Sequence, residues 1–295
     1  MAGVVAPVAA QSPKWQSLPG KSLDIGVGHA GTVWSIGPGR QAWRLDGRKW
    51  VKFPGLTNLQ NIDVAPDGSV MAVRNDGTLH YHSGKKGARW QQAGVRTMDV
   101  GIGGGWVWLT NTQQGAGGGQ IWRSRYTPGK WKWQRVPGEL MRIDVDPKGN
   151  AWGVNKKNDV FRHDGKKWVR LEGKALDLGI GGNGDVWGVA SRGYSTGKGG
   201  GSVWKYDPKV KGSWANGNGT LHRISVDPAG KPYGANSKQQ IWRDASATGG
   251  SQSTPGSAPK PVKVISFTQS GASKADVARF QAVADNLLKT MPLAP

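Results

Sequence analysis

The chain has no cysteine among its 295 residues, which excludes a disulfide framework and any thiol chemistry. Glutamate is nearly absent as well, because Glu139 and Glu172 are the only two and they lie in different parts of the chain. No serine stands in a G-x-S-x-G elbow, and the five histidines are scattered. The sequence therefore predicts a protein that is not an enzyme, since no acid–base pair or activated nucleophile is apparent.

Long apolar runs are also missing: none approaches the ~18 residues that span a bilayer, so no transmembrane segment is predicted. The segment from Met1 to Gln11 is apolar, but no lysine or arginine precedes its apolar stretch, so we do not predict a secretory signal. His80 and His82 share one face of a strand without a third ligand nearby, which favours a surface pair over a metal site. No cofactor or metal is expected.

Glycine, by contrast, is abundant, with 47 residues, and much of it belongs to a repeat. The phrase LDIGVG at Leu23 returns with variations as IDVAPDG, MDVGIGG, IDVDPKG, LDLGIGG and ISVDPAG. One anchor residue recurs at intervals of 33 to 48 residues. The anchors of copies 1 to 6 are Asp24, Asp63, Asp99, Asp144, Asp177 and Ser225. Six copies of a roughly forty-residue unit are typical of a closed array.

Each copy carries three further short segments in constant order, which in copy 1 are VWSI, AWRLDG and KWVKFPG. β-branched and aromatic residues fill these segments, and Gly, Asp-Gly or Asp-Pro separates them. Four short strands per copy are the pattern of a propeller blade. The spacing leaves no room for the helix-length crossovers of a parallel sheet. We therefore predict an all-β fold, a six-bladed β-propeller of four-stranded blades.

The two ends of the array predict how the ring closes. Copy 6 stops after its third strand at Gln240 to Arg243, whereas Lys14 to Gly20 reads like a fourth strand placed before copy 1. We expect this N-terminal strand to complete the last blade, because a closed ring has no open sheet edge. The predicted divisions are an N-terminal tail at 1–13, the propeller at 14–244, a flexible linker at 245–261 and a C-terminal tail at 262–295.

The C-terminal tail is predicted to contain an amphipathic helix at about 274–290. Ser273 can cap it, and an apolar stripe runs from Val277 to Leu288 before Pro292 stops it. A helix of this length is marginal alone. We expect it to dock on the propeller, to pair with another copy of the chain, or to begin a further domain, and the residues leave these three open.

A two-copy period overlies the shorter one. Copies 1, 3 and 5 share the form Asp-x-Gly-Ile/Val-Gly, whereas copies 2, 4 and 6 share Asp/Ser-Val-x-Pro-x-Gly. The odd copies also have longer loops between their second and third strands. This alternation predicts pseudo-threefold symmetry built from pairs of blades.

These segments match a known repeat. The AWGV and VWGV strands, the asparagines at Asn155 and Asn236, the IWR or VFR strand and the KWxxxPG strand resemble the tectonin repeat. The resemblance covers Lys14 to about Asp244 and departs most in copies 2 and 6. It implies a sugar-binding propeller for bacterial lipopolysaccharide or modified surface glycans. An extracellular or cell-surface location is favoured, although no signal peptide is predicted. The same repeat occurs in intracellular proteins that bind lipids or other proteins, so the resemblance also allows a lipid- or protein-binding function.

We name the expected ligand surface the loop face; it consists of the loops between second and third strands and of the connections between copies. Amide and charged side chains there can bind hydroxyl, phosphate or carboxylate groups, and several weak sites would act multivalently. The predicted ligand-binding residues are Arg40, Gln114, Asn155, Lys156, Arg192, Tyr194, Lys198, Asn236 and Lys238.

The charge of the chain points to the opposite surface. Forty basic against nineteen acidic residues give a net charge of +21, and many cations fall in the turns between third and fourth strands. We name this surface the turn face. Its predicted basic members are Arg48, Lys49, Lys85, Lys86, Arg89, Lys130, Lys132, Lys166, Lys167, Lys209 and Lys211. The alternative function is a protein- or anionic-lipid-binding scaffold that uses this face; the simplest interpretation of each lysine is a solvated surface.

The aromatic and acidic residues are predicted to be structural. Fourteen of the sixteen tryptophans recur at three repeat positions and are expected between blades, which leaves Trp106 and Trp131 as candidates for exposure. Nucleic acid is an unlikely partner, because base stacking needs several exposed rings. The five anchor aspartates are flanked by apolar residues, which predicts that they accept hydrogen bonds from the backbone of an adjoining blade.

Overall fold

The protein is described by a computed structural model covering residues 12–28, 31–191, 200–210 and 213–247. These ranges contain 22 β-strands, which confirms the predicted all-β class. The chain divides into two compact units, Met1–Gln252 and Ser253–Pro295. The second unit, with the helix predicted at 274–290, lies outside the described residues.

The strands form four antiparallel sheets, two of four strands and two of seven. One four-stranded sheet consists of β1 (Trp15–Lys21), β22 (Gln240–Asp244), β21 (Pro232–Ala235) and β20 (Arg223–Val226). The other consists of β2 (Asp24–Val27), β3 (Val33–Ile36), β4 (Ala42–Asp46) and β5 (Lys49–Phe53).

The seven-stranded sheets each join two copies of the repeat. The first consists of β6 (Leu59–Val64), β7 (Val70–Arg74), β8 (Thr78–His82), β9 (Gln91–Gly103), β10 (Trp106–Gln114), β11 (Gly119–Arg125) and β12 (Gln134–Leu140). The second consists of β13 (Arg142–Val145), β14 (Ala151–Val154), β15 (Asp159–His163), β16 (Trp168–Ile180), β17 (Val186–Ala190), β18 (Gly201–Tyr206) and β19 (Trp214–Leu221).

Strands β9 and β16 are long because each serves two copies. Residues 91–96 of β9 pair with β8, and residues 97–103 pair with β10. In the same way, residues 168–174 of β16 pair with β15, and residues 175–180 pair with β17. The strands are thus grouped in fours, which gives the propeller-like arrangement predicted from the repeat.

The N-terminal strand pairs with the last strand of copy 6. Trp15 lies opposite Asp244, and Leu18 lies opposite Ile241. The predicted pairing of these two distant segments is therefore confirmed. Copy 6 obtains its fourth strand from the beginning of the chain, so the N-terminal segment and the last copy are held in one sheet.

The second-strand aromatic residues form the core between neighbouring copies. Trp34 and Trp108 are 0% and 1% exposed, and Met71 and Tyr233 are fully buried at the same position in copies 2 and 6. Trp108 packs with Ile143 and other residues of copy 4, so its ring joins two copies. The burial predicted for this repeat position is confirmed.

The fourth-strand tryptophans explain the KWxxxPG pattern. The indole N–H of Trp50 donates to Pro19 O at 2.8 Å, and that of Trp168 donates to Pro137 O at 2.8 Å. Each acceptor carbonyl belongs to the fourth strand of the preceding copy. The following glycine, Gly20 or Gly138, has a φ of 92° or 125°, a conformation that residues with a Cβ rarely adopt. The tryptophan of one copy and the Pro-Gly of the preceding copy therefore form one contact between the two copies.

Two predictions of surface position were wrong. Trp106 and Trp131 are half-buried, because each packs against a hydrophobic cluster that combines residues of two neighbouring copies. His82 is 2% exposed, so it does not form a surface pair with His80. Its ring nitrogens lie within hydrogen-bond distance of Ala88 O and the Gly84 N–H, which brace the turn that follows β8.

Candidate functional site

The inner strands of all six copies surround a central cavity of about 40 Å³. Its lining combines acidic, basic and amide side chains with the backbone of the inner strands. The polar side chains are Asp24, Asn61, Asp63, Asp99, Arg142, Asp144, Asp177 and Ser225. Within the described residues, no cluster of His, Asp or Glu has the arrangement needed to hold a metal ion.

Every anchor residue accepts a hydrogen bond from the backbone of the next copy, as the sequence predicted. The six hydrogen bonds lead around the cavity and return to the first strand. They are Asp24 Oδ2 to Ile62 N (2.8 Å), Asp63 Oδ2 to Ile102 N (2.7 Å), Asp99 Oδ2 to Ile143 N (2.8 Å), Asp144 Oδ2 to Ile180 N (2.7 Å), Asp177 Oδ2 to Ile224 N (3.0 Å) and Ser225 Oγ to Val27 N (2.9 Å).

The hydrogen bonds alternate with the two-copy period of the sequence. Anchors of odd copies bond to the residue immediately before the next anchor, as Asp24 does with Ile62. Anchors of even copies bond to the residue three positions after it, as Asp63 does with Ile102. Neighbouring inner strands are therefore offset differently at odd–even and even–odd boundaries, which is a physical basis for the alternation.

Two arginines and one asparagine occupy equivalent positions in the even copies. Asn61, Arg142 and Arg223 each stand two residues before an anchor. Arg142 Nη1 lies 3.3 Å from Asp99 Oδ1, and Arg223 Nε lies 3.7 Å from Asp24 Oδ1. The cavity therefore contains two ion pairs among five carboxyl groups.

Burial raises the pKa of Asp24, Asp63, Asp99 and Asp144. Removal from water raises the pKa of Asp24 to about 7 and that of Asp99 to about 6, although Arg223 and Arg142 oppose the shift. The same cause raises the pKa of Asp144 to about 8, and it raises that of Asp63 well above its ordinary value. The desolvation of each carboxylate thus outweighs its favourable partners.

We expect thermal stability to fall as the pH rises from 6.5 to 9. A carboxyl with a raised pKa keeps its proton in the folded protein at pH values where the unfolded chain has lost it, so stability falls as pH rises toward the folded pKa. Burial lowers the pKa of His80, His82, His163 and His222, which has the opposite effect, but only below about pH 6.5. For Asp144 alone the loss is on the order of 2 kcal/mol.

Scanning calorimetry at several pH values between 6.5 and 9 measures this effect. Asp144→Asn should reduce the slope, because the amide cannot ionise. Asp164→Asn is the control: its carboxylate lies in an exposed turn and its lowered pKa, caused by hydrogen bonds from Lys167 N and Lys166 N, lies far below this range. A slope that is the same in all three proteins would contradict the assignment.

The loop face contains the predicted ligand-binding residues of the described chain. Arg40 donates from Nη1 to Leu59 O at 3.2 Å and to Asn75 Oδ1 at 3.0 Å, so it ties the loop of copy 1 to copy 2. Gln114 is exposed and lies 3.3 Å from Met98 Sδ. The predicted residues Arg192, Tyr194 and Lys198 lie outside the described residues.

The two asparagines on this face support their own turns. Asn155 Oδ1 accepts from Lys157 N and Asp159 N at 2.9 Å, and Asn236 Oδ1 accepts from Lys238 N and Gln240 N at 3.0 Å. Lys156 and Lys238, the remaining predicted residues, are exposed. The lysine side chains are thus freer than the asparagine amides to meet a ligand.

The turn face carries the predicted basic residues at one end of the sheets. In copy 2 the turn at Gly84 lies beside the turn at Gly68, because a Cβ on Gly84 would come within 2.8 Å of Gly68 O. All ten predicted basic residues within the described ranges are exposed, and no described carboxylate lies within 4.0 Å of their side-chain nitrogens. The eleventh, Lys211, lies outside those ranges. This face therefore carries exposed cationic side chains that form no ion pair among the described residues.

Comparison with known proteins is decisive for the family. The model of the Tectonin domain matches residues 6–130 and 103–265, which together span most of the chain. The chain belongs to the tectonin domain family. Tectonin domains form a propeller family whose members are often lectin-like. No curated protein matched this tectonin-family sequence.

Solved structures share the propeller-like fold of this tectonin protein. A structural-genomics target, DrR130, named as a candidate gluconolactonase is 13% identical, with a TM-score of 0.53 over 78% of this chain and 91% of that one. The Neurospora crassa Pan2 WD40 domain is 12% identical, with a TM-score of 0.52 over 83% of this chain and 100% of that one. At such identities the likeness concerns the fold alone.

Sequence reasoning missed Asn61 and Arg142, which line the cavity, and Arg223, which pairs with the lining residue Asp24. A signal was present, because each precedes its anchor by two residues in QNID, MRID and HRIS. The described part of this tectonin protein also contains no helix with the length and hydropathy needed to cross a membrane.

Proposed function

We propose that this tectonin-family protein is a non-enzymatic lectin that binds surface glycans, including those of lipopolysaccharide, through repeated sites on its loop face. We also infer that its four sheets form six four-stranded blades, since β9 and β16 each divide between two groups of strands. Six blades in alternating pairs give three equivalent boundaries at which an odd copy precedes an even one.

The observation that carries the proposal is the repeated junction at these boundaries. Arg40 in the long loop of copy 1 donates to Asn75 in the asparagine turn of copy 2. In copies 3 and 4, Lys156 N donates to Gly117 O at 2.7 Å, which again joins a long loop to an asparagine turn. Each junction brings polar groups of two copies together on the loop face, and repeated sites of this kind suit a multivalent binder of clustered glycans.

The contacts of the cavity carboxyl groups support a structural role for them rather than a catalytic one. Each of its five carboxyl groups already accepts a backbone N–H from the next copy. A carboxylate that holds two strands together cannot change its position or protonation without disturbing the ring. The neighbour named as a candidate gluconolactonase supports only the fold, and we assign no such reaction to this chain.

The lectin proposal predicts that lysines of the loop face contribute to glycan binding. Lys156→Ala and Lys238→Ala are each expected to weaken binding to immobilised glycans several-fold, and the double variant more than either, because multivalent avidity multiplies the loss at each site. The measurement is surface binding to glycans that the unaltered protein selects on an array. Both lysines are exposed, so folding should be retained.

The matched control is the double variant Lys85→Ala and Lys166→Ala, which removes the same charge from the turn face. It should leave glycan binding within about twofold, since exposed charges beyond about 10 Å are screened at physiological salt. A turn-face variant that loses binding while the loop-face variant keeps it would reverse the assignment. Absence of any glycan binding by the unaltered protein would remove the proposal altogether.

A second candidate function is supported by the turn face. Its ten described cations are exposed without a carboxylate partner, which suits a scaffold for an anionic surface or an acidic protein. Such binding would depend steeply on salt and little on sugar identity. Array binding at ~150 mM and ~500 mM salt separates the two functions, because a neutral-glycan lectin retains its ligands at the higher concentration.

A further inference from the structure

Copy 3 departs from the repeat at two positions that touch each other on the turn face. Trp106 begins the second strand of this copy, and Arg125 ends its third strand; the two residues are directly opposite in the β10–β11 pairing. At the position of Trp106 the other copies have Thr32, Ser69, Asn150, Asp185 and Lys231. At the position of Arg125 they have Asp46, Ser83, Asp164, Asp207 and Ala245.

The change at Arg125 reverses a charge that serves the turn elsewhere. In copy 4 the carboxylate of Asp164 accepts from Lys166 N and Lys167 N at 2.8 Å, and in copy 5 Asp207 accepts from Lys209 N at 2.9 Å. Copy 3 braces its turn differently, with Thr127 Oγ1 donating to Lys130 O at 2.9 Å. The arginine is therefore released from the turn and faces the indole instead.

Two guanidinium groups lie close to this single indole. The Cζ atom of Arg125 lies 4.0 Å from the centre of the Trp106 ring, and that of Arg123 lies 4.7 Å from it. The neighbouring copy packs closely against the edge of this ring. A Cβ atom added at Gly149 of copy 4 would lie only 2.5 Å from Trp106 Cδ1, so the ring has little room to move. Stacking on a fixed aromatic ring orients a guanidinium and restricts its rotamers, so its N–H donors are preorganised.

Neither guanidinium is neutralised within the described part of the chain. No described carboxylate lies within 4.0 Å of either one, and the buried Nε of Arg123 has no hydrogen-bond partner there. The equivalents of Arg123 in two other copies are engaged: Arg44 donates to Gly84 O at 2.9 Å, and Lys205 pairs with Asp185 at 2.8 Å. Copy 3 alone joins an uncompensated arginine pair to an added tryptophan.

We propose that Trp106, Arg123 and Arg125 form a binding site for a phosphate monoester group. Two forked guanidiniums offer several N–H donors to the three terminal oxygens of such a group, and its charge of about −1.5 to −2 at pH 7 relieves their mutual repulsion. Lys130, Lys132 and Lys148 are exposed in the same turn and in the adjoining turn of copy 4, so the surrounding surface attracts the anion as well.

This inference does not depend on the loop-face lectin, but it refines the second candidate function by placing a defined anion site within the basic turn face. The source of the phosphate can be a phosphorylated sugar, free phosphate or a lipid headgroup. The chemistry recognised is the same in each case, and separate probes distinguish them.

The test compares charge-matched variants by isothermal titration calorimetry with inorganic phosphate and glucose 6-phosphate, and by sedimentation with phosphatidylcholine vesicles containing phosphatidic acid. Arg125→Asp restores the residue of copies 1, 4 and 5 and should weaken binding at least about tenfold, because it removes one charge-assisted bidentate donor and adds a repelling charge. Lys166→Asp makes the same charge change in the turn of copy 4 and should stay within about twofold, because exposed charge is screened over ~10 Å.

A third variant, Trp106→Thr, installs the residue of copy 1 without changing the net charge. It should weaken binding by roughly three- to tenfold, since the guanidiniums lose the ring that orients them. Stronger binding of the sugar phosphate or of the vesicles than of inorganic phosphate would support the site and identify its source. Equal weakening by Arg125→Asp and Lys166→Asp would overturn the site in favour of a diffuse basic surface, and failure of the unaltered protein to bind any probe would overturn it as well.

Discussion

Asp99→Ala is expected to lower the free energy of unfolding by about 3–5 kcal/mol, because it breaks a buried ion pair and removes a hydrogen-bond acceptor together. Asp99 is 8% exposed; its Oδ2 accepts from Ile143 N at 2.8 Å, and its Oδ1 lies 3.3 Å from Arg142 Nη1. The variant would leave a backbone N–H without a partner and a guanidinium without its counter-charge. Urea unfolding followed by circular dichroism measures the change.

Two further variants separate these contributions. Asp177 is equally buried and accepts from Ile224 N at 3.0 Å, but no ion pair joins it to an arginine among the described residues, so Asp177→Ala should cost only about 1–3 kcal/mol. Asp99→Asn keeps an acceptor for Ile143 N and loses only the charge. Copy 6 already uses a neutral acceptor, Ser225, in the same role. Equal losses in the free energy of unfolding for Asp99→Ala and Asp177→Ala would show that the Asp99–Arg142 ion pair does not contribute to stability.

Trp108→Ala is expected to cost about 3–5 kcal/mol through the cavity that it leaves. The ring is 1% exposed and packs with Ile143 and Val145 of copy 4, and its N–H donates to Gly149 O at 3.2 Å. Loss of the ring therefore separates copies 3 and 4 over both apolar and polar contacts. Thermal unfolding followed by calorimetry would show a lower Tm, by several degrees or more for a domain of this size.

Other copies of the repeat suggest the control for this prediction. Copy 2 carries Met71 at the position of Trp108, and it is fully buried there, so Trp108→Met should cost clearly less than Trp108→Ala. Val51 is 43% exposed on an outer strand, and Val51→Ala should change stability by no more than about 0.5 kcal/mol. A Trp108→Ala protein as stable as the Val51→Ala protein would mean that the second-strand tryptophans do not hold the copies together.

Both variants act on contacts between copies rather than within them. A propeller-like ring gains stability from each boundary, so one weakened boundary affects its two neighbours through the shared strands β9 and β16. The repeat also supplies its own comparisons, because the same position can be altered in a copy that makes the contact and in one that does not. Asp99 with Asp177 and Trp108 with Met71 are such pairs.

The sequence by itself determined the strands, their number in each copy and the role of the anchors. These features depend on local patterns: alternating apolar residues mark strands, glycine and Asp-Gly mark turns, and an aspartate between apolar neighbours faces away from them. It also determined that Lys14 to Gly20 would pair with the end of copy 6, because only that segment could supply the missing strand. A repeat makes such deductions strong, since each position is observed six times.

Only the tertiary structure decided which residues from different copies meet. Asn61 and Arg142 lie 81 residues apart in sequence, yet both line one cavity, because the inner strands of the six copies converge on it. The amides of Asn155 and Asn236 proved to be engaged in their own turns, and Arg125 proved to lie over Trp106. Composition cannot reveal these contacts, since they depend on strand register and on how neighbouring sheets are offset, and a shift of one residue turns a side chain to the opposite face of its sheet.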